Sequence, residues 1–310
     1  MTFKLLKYYI VIFVFSILFY PSYSQKKTDY NVEEQKKLAD KYFINNQFDE
    51  AYPIYSTLLS NFPKDPIYNY RFGVCLIYSN SKESELPIKY LLNSIKYGDV
   101  PKEVYYYLGK AYHLNYRFED ALMYYQKYKE MINQDMINKY DLYHEIQMCY
   151  NGKKLLKSIS DLYVLEKYEV EKDKFSNVYK VADYGGVILK RPEEFTSKID
   201  IQKNDNDICY FDRKNGILCY SSYGELGKTG KDIYWVIKNK NGEWGKPIKG
   251  DYHINTDYDD NYAVFSKDRK TIYFSSKGHN SMGGYDIFKS VYNDKLKTWS
   301  EPINMDFPIN

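Results

Sequence analysis

The feature that most constrains the fold is a self-similarity in the first half of the chain. When Ala39 is aligned with Gly109, further matches lie 70 residues apart: Tyr42 with Tyr112, Phe48 with Phe118, Ala51 with Ala121 and Tyr55 with Tyr125. This spacing is two periods of about 34 residues plus two extra residues. Apolar residues in this region recur with a helical period. The sequence therefore predicts stacked helical hairpins over residues 28–160.

The repeated small residues have a packing role. Ala39, Gly73 and Gly109 let the first helix of a hairpin approach its partner closely, and Ala51 and Ala121 do the same from the second helix. The matching units lie at about 32–65 and 101–134, a looser unit lies at 66–100, and we expect a degenerate fourth hairpin over 135–160 that turns at Tyr150-Asn151-Gly152.

The pattern resembles the tetratricopeptide repeat (TPR) family, which implies an N-terminal α-solenoid with a concave groove for protein docking. In register with the family pattern, the groove would be lined by Lys36, Asp40, Tyr70, Tyr106, Lys110 and His113. The alternative is that this face is merely solvated, or covered by a second domain.

A second repeat follows once the apolar period changes from helical to alternating, after about residue 160. Ile217 to Ser222 parallels Ile272 to Ser276, and the later Trp244 and Trp299 are equivalent in the two copies. The repeat length of 54 to 55 residues fits one four-stranded propeller blade. We expect both tryptophans to pack between blades.

The runs Gly230-Lys231-Asp232-Ile233-Tyr234 and Gly283-Gly284-Tyr285-Asp286-Ile287-Phe288 resemble the WD-like propeller repeat of TolB-type and OmpA-family envelope proteins. The resemblance implies an incomplete β-propeller over residues 175–310, with clear blades at about 213–255 and 265–310. It also implies envelope proteins as partners, peptidoglycan-associated assemblies among them, although no C-terminal OmpA-like domain is visible.

Two blades cannot close a propeller, which needs about four to eight. Residues 178–212 could supply an irregular preceding blade or an adaptor. We expect the sequence to be a truncated product, and the alternative is that another polypeptide completes the open edge.

The N-terminus predicts export. Lys4 and Lys7 precede an apolar run from Tyr8 to Phe19, and Ser22-Tyr23-Ser24 fits a signal-peptidase site. We expect a signal peptide at residues 1–24, a mature chain from Gln25 without a transmembrane segment, and a periplasmic or outer-membrane location. The alternative is an uncleaved anchor, but the apolar run is shorter than the roughly 20 residues that span a bilayer.

Charge argues against nucleic-acid partners. Without Lys4 and Lys7, the 44 Lys and Arg residues fall to 42, against 41 Asp and Glu, and no basic stripe is visible. Aromatic residues make up 18% of the chain, which favours packed repeats over disorder.

Nothing in the sequence forms a recognisable catalytic, cofactor or metal motif. The acidic run from Asp257 to Asp260 lacks the ligand spacing of a calcium loop and is interpreted as a loop between blades. The four cysteines are interpreted as core residues, with a Cys209–Cys219 disulfide left open.

The sequence therefore predicts a non-catalytic protein-interaction scaffold of the bacterial cell envelope. The alternative is a glycan-processing hydrolase built on a propeller face.

Overall fold

The structure is a computed structural model. It describes residues 21–79, 85–158, 167, 169–171, 174, 185–205, 207–307 and 309–310. All but the last four residues of the expected signal peptide lie outside these ranges. The chain divides into two compact units at Leu142: a helical unit followed by a unit of antiparallel sheets.

Antiparallel neighbouring helices build the helical unit. They are α1 (Pro21–Ile44), α2 (Phe48–Asn61), α3 (Pro66–Tyr78), α4 (Leu86–Tyr97), α5 (Glu103–Leu114), α6 (Phe118–Lys129) and α7 (Gln134–Lys139). Each helix from α1 to α5 contacts the next one along the chain. Pro66 stands in the first turn of α3, where its missing N–H costs nothing, and the Asp65 side chain accepts the Tyr68 N–H at 2.8 Å.

The α1–α2 and α5–α6 turns are structural copies of one another. Asn46 and Tyr116, which lie 70 residues apart, both have a φ of 57°. In each turn the following N–H donates to a carbonyl five residues back, Gln47 to Tyr42 at 2.9 Å and Arg117 to Tyr112 at 3.0 Å. The repeat read from the sequence therefore exists in the backbone as well as in the side chains.

Close helix approach is confirmed at the small residues. A Cβ placed on Gly109 would lie 2.4 Å from the Tyr125 ring, and one on Gly73 would lie 2.8 Å from the Leu91 side chain. Ala51 and Ala121 are fully buried. The hairpins are therefore spaced so that only a hydrogen, or at most a methyl group, fits at these contacts.

We expect Gly109→Ala to lower the free energy of unfolding by about 1–3 kcal/mol, because the methyl group overpacks the α5–α6 contact. Thermal melts followed by circular dichroism would measure the loss. Lys37→Ala, at an exposed position of α1, is the control and should melt like the parent. If Gly109→Ala also melts like the parent, the hairpin contact is looser than described.

Two five-stranded antiparallel sheets make up most of the second unit. Sheet one contains, in order, β1 (Gly186–Lys190), β2 (Ile208–Asp212), β3 (Ile217–Ser222), β4 (Asp232–Ile237) and β5 (Ile248–Lys249). Sheet two contains β6 (Asp260–Phe265), β7 (Thr271–Ser276), β8 (Asp286–Asn293), β9 (Thr298–Trp299) and β10 (Ile303–Asn304). In sheet two, β8 pairs with β7, β9 and β10.

Strand register repeats with the 54-residue offset. Ser222 pairs with Asp232 in sheet one, and Ser276 pairs with Asp286 in sheet two. The offset also equates β2 with β6, so the repeat begins earlier than the expected boundaries near residues 213 and 265. Strand β1 pairs with β2, so the described part of residues 178–212 widens sheet one instead of forming a separate blade.

The main core of this unit lies between the two sheets. It contains Ile217, Cys219 and Ile233 from sheet one and Phe274, Phe288 and Trp299 from sheet two. Trp299 therefore packs between sheets as predicted.

The prediction for Trp244 was wrong. This residue does not pack between the two sheets but lies against the core on the other face of sheet one. There its ring meets Phe195 edge-on at 5.9 Å and Phe211 at 5.5 Å. Phe195 is the last residue of a short 3-10 helix, which is followed by helix α9 (Lys198–Gln202). The Phe195 ring stacks on the Tyr220 ring, with 5.2 Å between the ring centres. Trp244 packs against these aromatic rings, on the face of sheet one that points away from sheet two.

No disulfide joins Cys209 and Cys219. Cys219 pairs across the strands with Tyr210, so the adjacent Cys209 points to the opposite face. The two thiols accordingly belong to different cores, and each is free and buried.

The predicted fourth hairpin does not turn at Tyr150-Asn151-Gly152, because these residues lie inside helix α8 (Leu142–Leu155). The helix is held by the sheet unit. The Asn151 side chain donates to the Ser281 carbonyl at 2.9 Å, and the His144 ring stacks on Tyr258 at 3.8 Å. Residues 143–158 thus belong with the sheets, although the helical period assigned them to the hairpin array.

Candidate functional site

A cluster of paired charges and tyrosines lies where the β3–β4 and β7–β8 connections meet the sheets. We define the lysine–tyrosine cluster by its two cations and their partners: Tyr223, Lys231, Lys277, Tyr285, Asp205, Asp207 and Asp259. Tyr223 directly follows β3 and Lys231 directly precedes β4. In sheet two the order is exchanged, with Lys277 after β7 and Tyr285 before β8.

Each lysine contacts the tyrosine of its own connection. The Lys231 Nζ lies 5.7 Å from the centre of the Tyr223 ring, and the Lys277 Nζ lies 4.7 Å from the centre of the Tyr285 ring. Both distances are within the range of a cation–π interaction. The two repeats therefore form the same contact with the two residue types in exchanged positions.

Lys231 is the buried cation of the cluster. Its Nζ bonds Asp205 at 2.9 Å and also bonds Asp207, which in turn accepts the Asn261 side-chain amide at 2.8 Å. The lysine side chain is 11% exposed. Burial lowers the pKa of Lys231, but bonds to Asp207 and Asp205 outweigh burial and raise it, so the lysine stays charged.

Lys277 forms the more exposed counterpart. Its Nζ bonds Asp259 at 2.8 Å, and the same carboxylate accepts the Lys231 backbone N–H at 3.0 Å. Burial raises the pKa of Asp259, but the bonds from Lys277 and from the Lys231 N–H outweigh burial and lower it. Asp259 therefore ties the β3–β4 connection of sheet one to the second sheet.

Arg191 connects the cluster to the cover of sheet one. Its guanidinium lies 3.3 Å from Asp205 and 3.4 Å from Asp200, and it donates to the Ser221 carbonyl. Asp200 also accepts hydrogen bonds from Ser222 at 2.7 Å and from the Tyr223 N–H at 2.9 Å. Burial raises the pKa of Asp200, but these bonds and those from Ser197 hold it below its usual value.

A polar cleft of about 560 Å³ opens beside these residues and is lined by Lys190, Arg191, Glu193, Thr196, Ile201, Asp205 and Asp207. Its carboxylates Asp205 and Asp207 already have cationic partners within the protein. No group of three or more metal-ligating side chains occurs among the described residues. The chemistry of this cleft suits structural ion pairing and polar recognition more than proton transfer.

The thiols are poor candidates for nucleophiles. Burial raises the pKa of Cys75, Cys149 and Cys209 to about 12, and burial raises that of Cys219 as well. All four are therefore protonated at neutral pH, and the thiolate is the reactive form.

Three predicted groove residues are buried in the helical unit. Tyr70 and Tyr106 lie in a cluster of tyrosine rings, where Tyr106 is 4.5 Å from Tyr140. His113 is buried with its ring edge-on to Phe118 at 5.5 Å. These three aromatic side chains therefore pack inside the helical unit. Their aromatic character was as consistent with a place in the core as with a place in a groove.

The other three groove residues, Lys36, Asp40 and Lys110, are half-buried. Asp40 accepts the Tyr55 hydroxyl at 2.8 Å and pairs with Arg71, so it joins three successive helices. Of the six predicted groove residues, Lys36, Asp40 and Lys110 are therefore the ones that keep part of their surface exposed.

The lysine–tyrosine cluster itself was not predicted from the sequence. Asp205 and Asp259 are separated by the repeat offset of 54, and this match was a usable signal. Lys231 and Lys277 occupy different repeat positions, so alignment alone does not relate them. The run from Asp257 to Asp260, interpreted as a loop, in fact contributes Asp259 to the cluster.

Comparison with known proteins adds no family assignment: no protein-family model matches the chain, and no curated protein matches its sequence. Within the described ranges, no helix is both long and apolar enough to cross a bilayer. The class that the structure itself defines is a helical hairpin array followed by stacked antiparallel sheets.

We expect Lys231→Met to lower the free energy of unfolding by about 3–5 kcal/mol, because it leaves Asp207 without its cation and Asp205 with Arg191 as its remaining cationic partner. Lys277→Met is the matched control from the other repeat. Its ion pair is 42% and 21% exposed, so its loss should cost at most about 1 kcal/mol. Urea unfolding followed by tryptophan fluorescence would compare them, and equal losses would contradict a buried role for Lys231.

Asp260 should make stability depend on pH. It is fully buried, and burial raises its pKa to about 7, although bonds from Ser276 and Thr256 oppose the shift. In the unfolded chain the carboxyl ionises at about pH 4. The folded protein therefore holds an extra proton between these values, and the free energy of unfolding should fall as the pH rises from about 4 to 7.

We expect Asp260→Asn to remove this fall, since the amide cannot ionise, and Asn206 holds the equivalent position of the first repeat. Denaturant unfolding at a series of pH values would measure the profile. Asp257→Asn, at an exposed carboxylate, should leave the profile of the parent unchanged. An unchanged profile in Asp260→Asn would show that the carboxyl ionises normally in the fold.

Proposed function

We propose that the chain is a non-catalytic interaction scaffold of the bacterial cell envelope, with TPR-type hairpins that dock a protein partner and a propeller-type sheet repeat. The observation that carries the proposal is the repetition of the α1–α2 hairpin in α5–α6, down to turn dihedral angles and hydrogen bonds. Stacked copies of one hairpin form a continuous surface larger than any single helix pair offers.

The charges on this surface indicate the kind of partner. Lys36 and Lys110 place positive charge on the repeat-related helices α1 and α5. A partner segment with acidic side chains would complement the two lysines. The envelope location is supported by the charged, apolar and small-residue segments of the N-terminus.

The hydrolase alternative requires an accessible acid with a suitable pKa. Asp260 has a pKa raised to about 7, as a general acid would, but its side chain is fully buried between Thr256 and the sheets. It cannot reach a glycosidic oxygen without opening of the fold. The scaffold function is therefore better supported by the described residues.

We expect Lys36→Glu combined with Lys110→Glu to weaken partner binding by at least about tenfold, since like charges then face the acidic segment. The partner would be captured by cross-linking in envelope extracts, identified, purified and titrated by calorimetry. The matched control combines Lys37→Glu with Lys127→Glu, which changes the net charge equally at exposed sites of α1 and α6.

Equal binding by both double variants would show that the partner docks elsewhere. Turnover of glycan substrates by the parent protein, lost in an Asp260→Asn variant that still folds, would replace the scaffold function by the hydrolase.

A further inference from the structure

The polar cleft beside the lysine–tyrosine cluster is large enough to hold a small ligand. Its volume of about 560 Å³ falls within the roughly 300–1,000 Å³ that small-molecule sites occupy. The chain enters the cleft at the end of β1, with Lys190 and Arg191, and leaves it just before β2, with Asp205 and Asp207. All of these residues lie in the second unit, so one compact part of the chain builds the whole cleft.

Arg191 is the fixed donor of the cleft. Its side chain is 3% exposed, and its guanidinium donates to the Asp205 carbonyl at 3.1 Å, to the Asp205 carboxylate at 3.3 Å and to the Ser221 carbonyl. These bonds use the two terminal nitrogens, and the Nε–H has no acceptor among the described residues. Because a buried donor without an acceptor is unfavourable, an oxygen atom of a bound ligand would stabilise this arrangement.

The acceptors of the cleft are held in place as well. Asp205 bonds both Arg191 and Lys231, and Asp207 bonds Lys231 and the Asn261 side-chain amide. An ionised carboxylate has about four lone-pair sites, so each can accept further hydrogen bonds. The cleft therefore presents neighbouring donors and acceptors that lose little freedom when a ligand binds.

The charges of the cleft argue against an ion as its ligand. Cations and carboxylates balance in and beside the cleft: Lys190, Arg191 and Lys231 against Glu193, Asp205 and Asp207. The further partner of Arg191, Asp200, is fully buried and does not line the cleft. An anion would meet these carboxylates, and a metal ion would have to displace the cations that they already bind. The cleft therefore favours an uncharged ligand that both donates and accepts hydrogen bonds.

An aromatic ring borders the same carboxylates. Tyr262, which is 50% exposed, directly follows Asn261, whose side-chain amide donates to Asp207 at 2.8 Å. Burial raises the pKa of Tyr262, and Asp207 raises it further because the phenol lies near that carboxylate. Strand β6 is irregular between Asn261 and Val264, and Tyr262 has a φ of 53° there. Such bulges re-aim side chains next to binding sites.

We propose that this cleft binds an uncharged sugar of a glycan chain. Each sugar hydroxyl both donates and accepts a hydrogen bond. Hydroxyls on adjacent ring carbons lie about one hydrogen bond apart, as do the paired Arg191 and Asp205 groups. The carbon-bound hydrogens of the sugar ring would pack on the Tyr262 ring. Because cations engage Asp205 and Asp207, the site holds the sugar without cleaving it.

The test is an NMR titration of the purified protein with neutral trisaccharides: maltotriose, cellotriose and triacetylchitotriose. We expect at least one of them to bind with a dissociation constant of about 1 mM or tighter, and to be recovered uncleaved. Trigalacturonic acid, which carries a carboxyl group on every ring, should bind at least about fivefold more weakly, because its charges meet Asp205 and Asp207.

Two substitutions locate the site. Arg191→Lys keeps the positive charge but removes the Nε–H, and Tyr262→Ala removes the aromatic ring. Each should weaken trisaccharide binding at least about fivefold. Tyr262→Phe keeps the ring and should retain most of the affinity. Tyr252→Ala, at a tyrosine that is 76% exposed and does not line the cleft, is the matched control and should bind like the parent.

Thermal melts would show which variants fold, and Tyr262→Ala, at a half-exposed position, carries the test if Arg191→Lys does not fold. The proposal would be overturned if none of the trisaccharides bound, if trigalacturonic acid bound as tightly as they do, or if the folded cleft variants bound like the parent. Hydrolysis of a trisaccharide would also overturn it, in favour of the hydrolase. These results do not depend on docking by the helical unit, which Lys36→Glu and Lys110→Glu test separately.

Discussion

Each sheet of the second unit has apolar residues on both faces, and covering an apolar face is favourable because it removes that surface from water. Much of the architecture follows from this constraint. Sheet two covers one face of sheet one, and the Phe195 segment covers the other with an aromatic layer. Even the position of Trp244 follows, since its ring completes that layer.

The lysine–tyrosine cluster provides partners for the polar groups of the strand connections at the end of the same sheets. Connections between strands carry backbone groups and charges that cannot be buried without partners. Lys231 satisfies two carboxylates, while its own backbone N–H bonds Asp259 from the neighbouring repeat. The cluster therefore fixes the relative position of two sheets that apolar packing alone would hold with less directional precision.

The local and repeated parts of the structure could be predicted from the sequence. The spacing of Ala39 and Gly109 indicated the hairpins because a small residue is required where two helices approach as closely as they do at Gly109. Parts of the structure that depend on contacts distant in sequence could not be predicted in this way. Gly152 suggested a turn, but hydrogen bonds from α8 to the sheets keep the helix continuous. Lys231 was missed because its carboxylates are more than twenty positions away, and because the equivalent position in the second repeat is a tyrosine.

The aromatic residues are divided unequally between the two units. All three tryptophans, Trp235, Trp244 and Trp299, lie in the sheets, whereas the helical unit packs around tyrosines such as Tyr55, Tyr125 and Tyr128. Light absorbed selectively by indole therefore reports on the sheets alone, and phenol absorbance is weighted towards the helices. Tryptophan and tyrosine signals can therefore be used to follow the folding of the two units separately, without adding a dye.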